Sequence, residues 1–239
     1  MSNIPPQVHL PPHKLAARDS STKRAMPLGE TDLPMKLPLE RKARIEALLN
    51  IITWCDVEHS PRYKRTKTST WCNIYATDVC YLAGVYLPHT FWTAKALKDI
   101  LAGKAVAPKY GVTITELSAN SLRDWLVYTG PLYGWRPAKT AAEAQKVVNE
   151  GGMAVVCAKK PKGIGHVSVV IPETPAKKAH YAPDGRLLIP VQSQAGAKNY
   201  SAYTTEMGVW WERPGYEGGI WVQEYAPKCP TCSGTGISP

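Results

Sequence analysis

The sequence predicts an α+β fold in which helices come first and an antiparallel sheet follows. Three observations carry this. Ile45, Leu48, Leu49 and Ile52 recur at the spacing of one helix face, opposite Arg41, Lys42 and Glu46. Thr140-Ala141-Ala142-Glu143 has the form of a capping box, opening a helix that Gly151-Gly152 stops. Beyond that point the apolar runs shorten to strand length, over residues 153–158, 166–171 and 187–194, with 209–211 and 220–225 completing the set.

In chain order, residues 1–38 hold Pro5, Pro6, Pro11, Pro12, Pro27, Pro34 and Pro38, few large apolar side chains and a modest basic excess. That composition predicts a disordered arm. The folded domain is expected over 39–226. After the helix around 45–52, His59-Ser60-Pro61-Arg62-Tyr63 reads as a loop. A helix opening near Cys72 is expected to end near Gly84, with Pro88 confirming the stop. Helices over 93–101 and 121–128 are closed by Gly103 and Gly130. Residues 227–239 form a tail.

With 239 residues the chain can form one large domain, or a core domain with appendages, and its 44% hydrophobic share suits a sizeable core. Its formal charge of +10, from 29 basic and 19 acidic residues, predicts attraction to a polyanion without choosing among nucleic acid, an anionic membrane face and an acidic wall polymer. Lys14, Arg18, Lys23 and Arg24 suit the arm to such adhesion. No apolar run is long enough for a membrane span, and Met1 to Leu10 lacks the apolar run of a signal peptide. The protein is thus expected to be made in the cytoplasm and to reach any wall after lysis or secretion. Cysteines 55, 72, 80, 157, 229 and 232 are too irregularly placed for a disulfide framework in a chain this long.

The chemistry concentrates in Thr68-Ser69-Thr70-Trp71-Cys72-Asn73-Ile74-Tyr75-Ala76-Thr77-Asp78-Val79. Ser69 or Thr70 is expected to cap a helix whose first turn holds Cys72. A thiol there sits at the positive end of the helix dipole, and Arg62, Lys64, Arg65 and Lys67 approach it, so the thiolate is favoured. Asp78, six residues on, faces away and is expected to satisfy a buried polar contact. Cys55, Cys80 and Cys157 lie in apolar patterns and read as core. The base is expected to be His166, which opens a strand after Gly163-Ile164-Gly165, while His9, His13, His89 and His180 sit in loop-like contexts. Gln192 and Gln194 share one face of the next strand, and Gln194 (or Gln192) is the expected group to orient the imidazole.

Cys72-Asn73 with Asp78-Val79, then Gly165-His166-Val167-Ser168-Val169-Val170, then Gln194-Ala195-Gly196-Ala197 with Asn199, resembles the CHAP/NlpC-type cysteine peptidoglycan hydrolases, above all phage lysins and secreted amidase effectors. The resemblance covers residues 62–200. It implies a papain-like fold and an amidase or endopeptidase with Cys72 as nucleophile, His166 as base and Gln194 as the third member. Tyr63, Trp71, Asn73 and Gln192 are then the expected substrate-contacting residues, and no cofactor is required. The backbone N–H of Cys72 is a natural oxyanion donor. The same residues also suit acyl transfer to another acceptor. From a different class, a basic nucleic-acid-binding protein with a zinc-ribbon-like tail and a structural Cys72 fits the charge. Cys229-Pro230-Thr231-Cys232-Ser233-Gly234-Thr235-Gly236 resembles one half-site of a DnaJ-type zinc repeat. Zinc wants four ligands, so Cys229 and Cys232 would need a second chain, which makes a dimer, or a distant side chain; otherwise no metal binds.

Overall fold

A computed structural model describes residues 4–35 and 40–224. Helix α1 (Arg41–Cys55) is capped by Glu40, and α2 (Cys72–Leu82) carries the candidate nucleophile at its first position. A short hairpin-like pair, β1 (Thr90–Trp92) and β2 (Ile114–Glu116), flanks α3 (Ala94–Leu101). Then follow α4 (Ala119–Tyr128), the short β3 (Arg136–Pro137) and α5 (Ala141–Asn149). The strands β4 (Met153–Lys159), β5 (His166–Val170), β6 (His180–Tyr181), β7 (Leu187–Ile189), β8 (Gln192–Gln194), β9 (Tyr200–Tyr203) and β10 (Glu217–Gln223) complete the described residues. Among the described residues the main sheet has six strands in the order β3-β10-β4-β5-β8-β9, every neighbouring pair antiparallel. The class is α+β with antiparallel sheets. Among the described residues no helix is long and apolar enough to cross a membrane.

The expected cap at Thr140 is present, and α3 and α4 are capped by side chains as well. Thr93 accepts from Ala96 N–H, Ser118 from Ser121 N–H and Thr140 from Glu143 N–H. Glu143 does not return the bond to Thr140, because its carboxylate is taken by Lys139 N–H and Arg136. Two expected strands differ. Pro190 has no N–H to give to a ladder, and residues 187–194 divide there into β7 and β8. Residues Trp210–Glu212 form a 3-10 turn rather than a strand, and both tryptophans are buried on the sheet.

The sheet separates two cores. Odd-numbered positions of β4 and β5, such as Val155, Cys157, Val167 and Val169, pack with α1, α2 and α4. Their neighbours Ala154, Val156 and Val170 pack with α5, Trp210 and Trp211. That alternation is the strand period of two. Polar pins fix the helices: Tyr75 of α2 meets Ser193 of β8 at 2.6 Å. Gln145 of α5 donates to Ile171 C=O and accepts from Val191 N–H.

The expected disordered arm is corrected by its packing. Residues 4–35 contain no helix, yet Val8, Ala16 and Leu28 are buried in the domain. The reason is a hidden polar anchor, Arg62, which is fully buried and donates twice to Asp78 (2.6 and 3.0 Å) and to the carbonyls of Arg24 (3.2 Å) and Met26 (3.1 Å). Arg18 donates to Trp54 C=O, and Trp92 and Tyr133 donate to the carbonyls of Pro6 and Pro5. The segment also folds on itself so tightly that a Cβ at Gly29 would lie 2.5 Å from the His13 carbonyl oxygen. The domain therefore begins well before residue 39. A cavity of about 400 Å³ lies beneath this segment, lined by Thr77, Asp78 and Tyr81 of α2. At about 100° per residue, Tyr81 stands on the opposite side of that helix from Cys72.

Candidate active site

Cys72 starts α2, but the helix is entered differently from expectation. Trp71 is the N-cap and contributes no side-chain bond, so neither Ser69 nor Thr70 caps it. The N-terminus is instead placed by tertiary contacts. Asn73 Nδ2 donates to Leu117 C=O (3.0 Å), tying the first turn to the chain entering α4. Tyr75 ties the second turn to β8.

His166 stands at the first position of β5, opposite Ala158 of β4. Gly165 must lack a side chain, because a Cβ there would sit 2.5 Å from the Ala158 carbonyl oxygen and closer still to Asn120. Asn120 in turn holds the preceding loop, accepting from Lys160 N–H and donating to Gly163 C=O. His166 Nε2 lies 2.6 Å from Gln194 Oε1, and the Trp210 ring packs edge-on against the imidazole at 4.7 Å between centroids.

The proton on this histidine can be placed by elimination. Gln194 Nε2 donates to Lys198 C=O (3.1 Å), and a carbonyl can only accept. Gln194 Oε1 therefore faces His166, so His166 Nε2 carries the hydrogen. Nδ1 is then the ring nitrogen that can serve Cys72, whose charge and hydrogen bond raise the imidazole pKa.

The thiol is buried, 3% exposed. Burial alone pushes its pKa up, but the charge and hydrogen bond of His166, with the N–H groups of Val167 and Asn73, outweigh it and bring the thiol below its ordinary value. For His166 burial acts downward, while Cys72 and the bond to Gln194 raise the imidazole above its ordinary value. The two shifts favour a thiolate–imidazolium pair. Cys55, Cys80 and Cys157 have no such partner and are pushed upward, chiefly by burial. His89 is pushed down to about 3 by burial and the Arg62 charge, which makes it too weak a base to stand in for His166.

No family model matches the chain, and no curated protein matches it significantly. The chemistry of the site thus rests on its own geometry.

Three of the expected site residues, Cys72, His166 and Gln194, are brought together. Others are placed elsewhere. Tyr63 is fully buried and donates to Asp78 (3.1 Å), so it cannot border a cleft. Gln192 is fully buried beneath Gln194 and accepts from Ser168, Tyr203 and Trp210, which removes it from any substrate. Trp71 is half-buried, with the Arg24 guanidinium over its ring at 4.2 Å. Asn73 braces the backbone. Arg62, expected to add to the field on the thiol, is spent on Asp78, the buried polar contact that residue was expected to need. Lys64, Arg65 and Lys67 are exposed on the approaching loop. Cys229 and Cys232 lie outside the described residues. Trp210 and Tyr203 escaped sequence reasoning; the tandem Trp210-Trp211 was the available signal, since two adjacent large rings both needing burial fit a turn lying on a sheet better than a strand.

The paired shifts set a pH dependence. Nucleophilic attack needs the thiolate, so activity should rise through a pKa below the ordinary thiol range. Protonation of a leaving group needs the imidazolium, so activity should fall through a pKa above the ordinary histidine range. A bell-shaped kcat/KM profile is expected, its two limbs belonging to the pair rather than to either residue. A single limb centred on an ordinary thiol pKa would show that no ion pair forms.

Proposed function

We propose that the protein is a papain-like cysteine hydrolase that cleaves an amide bond of peptidoglycan. The observation that carries this reading is geometric: Cys72 opens α2, His166 opens β5, and Gln194 Oε1 lies 2.6 Å from His166 Nε2. The order of residues supports it too: nucleophile on a helix start, base on a strand start, and an amide side chain on the next strand.

In this reading Cys72 Sγ attacks the amide carbon, and the carbonyl oxygen becomes an oxyanion held by the Cys72 N–H at the helix N-terminus. The C–N bond breaks as His166 Nδ1–H gives its proton to the departing nitrogen. Water then attacks the thioester while Nδ1 takes one of its protons, releasing a carboxylic acid and the free enzyme. Gln194 holds the ring throughout. No cofactor enters this cycle. The net charge of +10 suits an anionic cell-envelope polymer, which would be reached after lysis or secretion.

The test is to incubate purified protein with sacculi and identify the fragments by mass spectrometry. One new amine and one new carboxyl per cut, within the stem peptide or at its junction to the sugar, is the expected result. Sacculi left intact, with salt-sensitive retention of nucleic acid instead, would favour the binding-protein alternative.

A further inference from the structure

We infer that Tyr203 is a positioning residue for the base, because its hydroxyl helps fix which end of the Gln194 amide faces His166. The inference rests on the reading of Cys72 and His166 as nucleophile and base. The two ends of a glutamine amide are nearly equal in size and can exchange places. Were Gln194 turned over, its NH₂ would face His166 Nε2, the ring hydrogen would move to Nδ1, and the thiol would lose its proton acceptor.

Two contacts oppose that turn, the Lys198 carbonyl on Gln194 Nε2 and the Tyr203 hydroxyl on Gln194 Oε1 at 2.9 Å. A hydroxyl can accept as well as donate, so what directs its single hydrogen matters. Its other acceptor, Gln192 Oε1 at 3.1 Å, already takes Ser168 Oγ at 2.7 Å and Trp210 Nε1 at 3.2 Å. An amide oxygen has two lone pairs. Ser168 and Trp210 fill those of Gln192, which leaves the Tyr203 hydrogen for Gln194. The two lone pairs of Gln194 Oε1 are then filled by Tyr203 and His166. Each lone pair of the two amide oxygens is then used once, in a pocket where Ser168, Gln192 and Tyr203 are all fully buried, while Gln192 Nε2 is buried there without a partner among the described residues.

Removing the hydroxyl orphans nothing. Gln192 keeps two donors and Gln194 keeps His166, so Tyr203→Phe should fold. The experiment measures the rate of iodoacetamide alkylation at Cys72 against pH, following the modified peptide by mass spectrometry. The titratable groups facing Cys72 are His166 from β5 and Cys157 from β4. Tyr203→Phe is expected to slow alkylation roughly tenfold at neutral pH and to converge with the parent at high pH, where the thiolate forms unaided. In a Gln194→Glu background the same change should have no such effect, since either carboxylate oxygen accepts from Nε2–H. An unshifted profile in the parent background, or an equal shift in both, overturns the inference. His166→Ala separates the two levels. If it moves the profile and Tyr203→Phe does not, only the role of Tyr203 fails; if it does not move the profile, the nucleophile–base reading fails and this inference with it.

Discussion

Cys72→Ala and His166→Ala should each reduce release of soluble fragments from sacculi to the uncatalysed background. Removing the nucleophile or the base of a comparable serine triad costs on the order of 10⁶ in kcat, about as much as removing all members together. The double variant should therefore be no worse than either single one. The fold should survive both changes. Cys72→Ala removes one atom from a helix start, and His166 lies on the first residue of its strand, where the ring is only half-buried. Gln194→Ala should cost less than the ~10⁴ seen when a charged orienting group is altered. An amide fixes the tautomer without stabilising the imidazolium by full charge. Fragment release with circular dichroism on each variant is the measurement. Retained turnover in either folded single variant would remove that residue from the chemistry.

What could be read from the sequence follows from how local each constraint is. The helix announced by Thr140 rests on a side chain that bonds the backbone three residues away, so its signal is contained in a short window, as are the unread caps Thr93 and Ser118. His166 was legible because glycines open its strand, and Cys72 because a run of hydroxyl residues leads into it and an apolar helix pattern follows. Gln194 was legible through the period of two, which also put Gln192 on its face but could not say how deep that face lies. Depth is set by Trp210 and Tyr203, which arrive from later in the chain. Ser69 and Thr70 misled for the opposite reason. They have the chemistry of caps, but the entry of α2 is fixed by Asn73 reaching Leu117 and by Arg24 lying over Trp71, contacts between residues tens of positions apart. The N-terminal segment misled most, because composition reports how much apolar surface a stretch owns and not whether a buried arginine elsewhere needs its carbonyls.

That arginine makes the segment structural, and its removal should be as damaging as loss of the thiol. A chain lacking residues 1–35 would strip Arg62 of the Arg24 and Met26 carbonyls, and Trp92 and Tyr133 of theirs, while opening the core around Val8, Ala16 and Leu28. Asp78 would remain, but Arg62 Nη1 already has no partner among the described residues, so loss of both carbonyls would leave the buried guanidinium bonded to Asp78 alone. Asp78→Ala in the full chain gives the scale. It leaves Arg62 charged and buried without a counter-ion, a loss of roughly 3–5 kcal/mol. For a chain of this size that is a fall of roughly 6–20 °C in Tm. The truncation removes apolar burial in addition and should lower Tm further or abolish the cooperative transition. Activity should then disappear on a small soluble muropeptide as completely as on whole sacculi, because the loop from Arg62 leads directly into α2 and Cys72. Thermal denaturation beside turnover of the small substrate checks both points. A truncated protein that melts with the full chain and still cleaves the small substrate, failing only to adhere to cells, would make the segment an adhesive appendage after all, and the contacts to Arg62 dispensable.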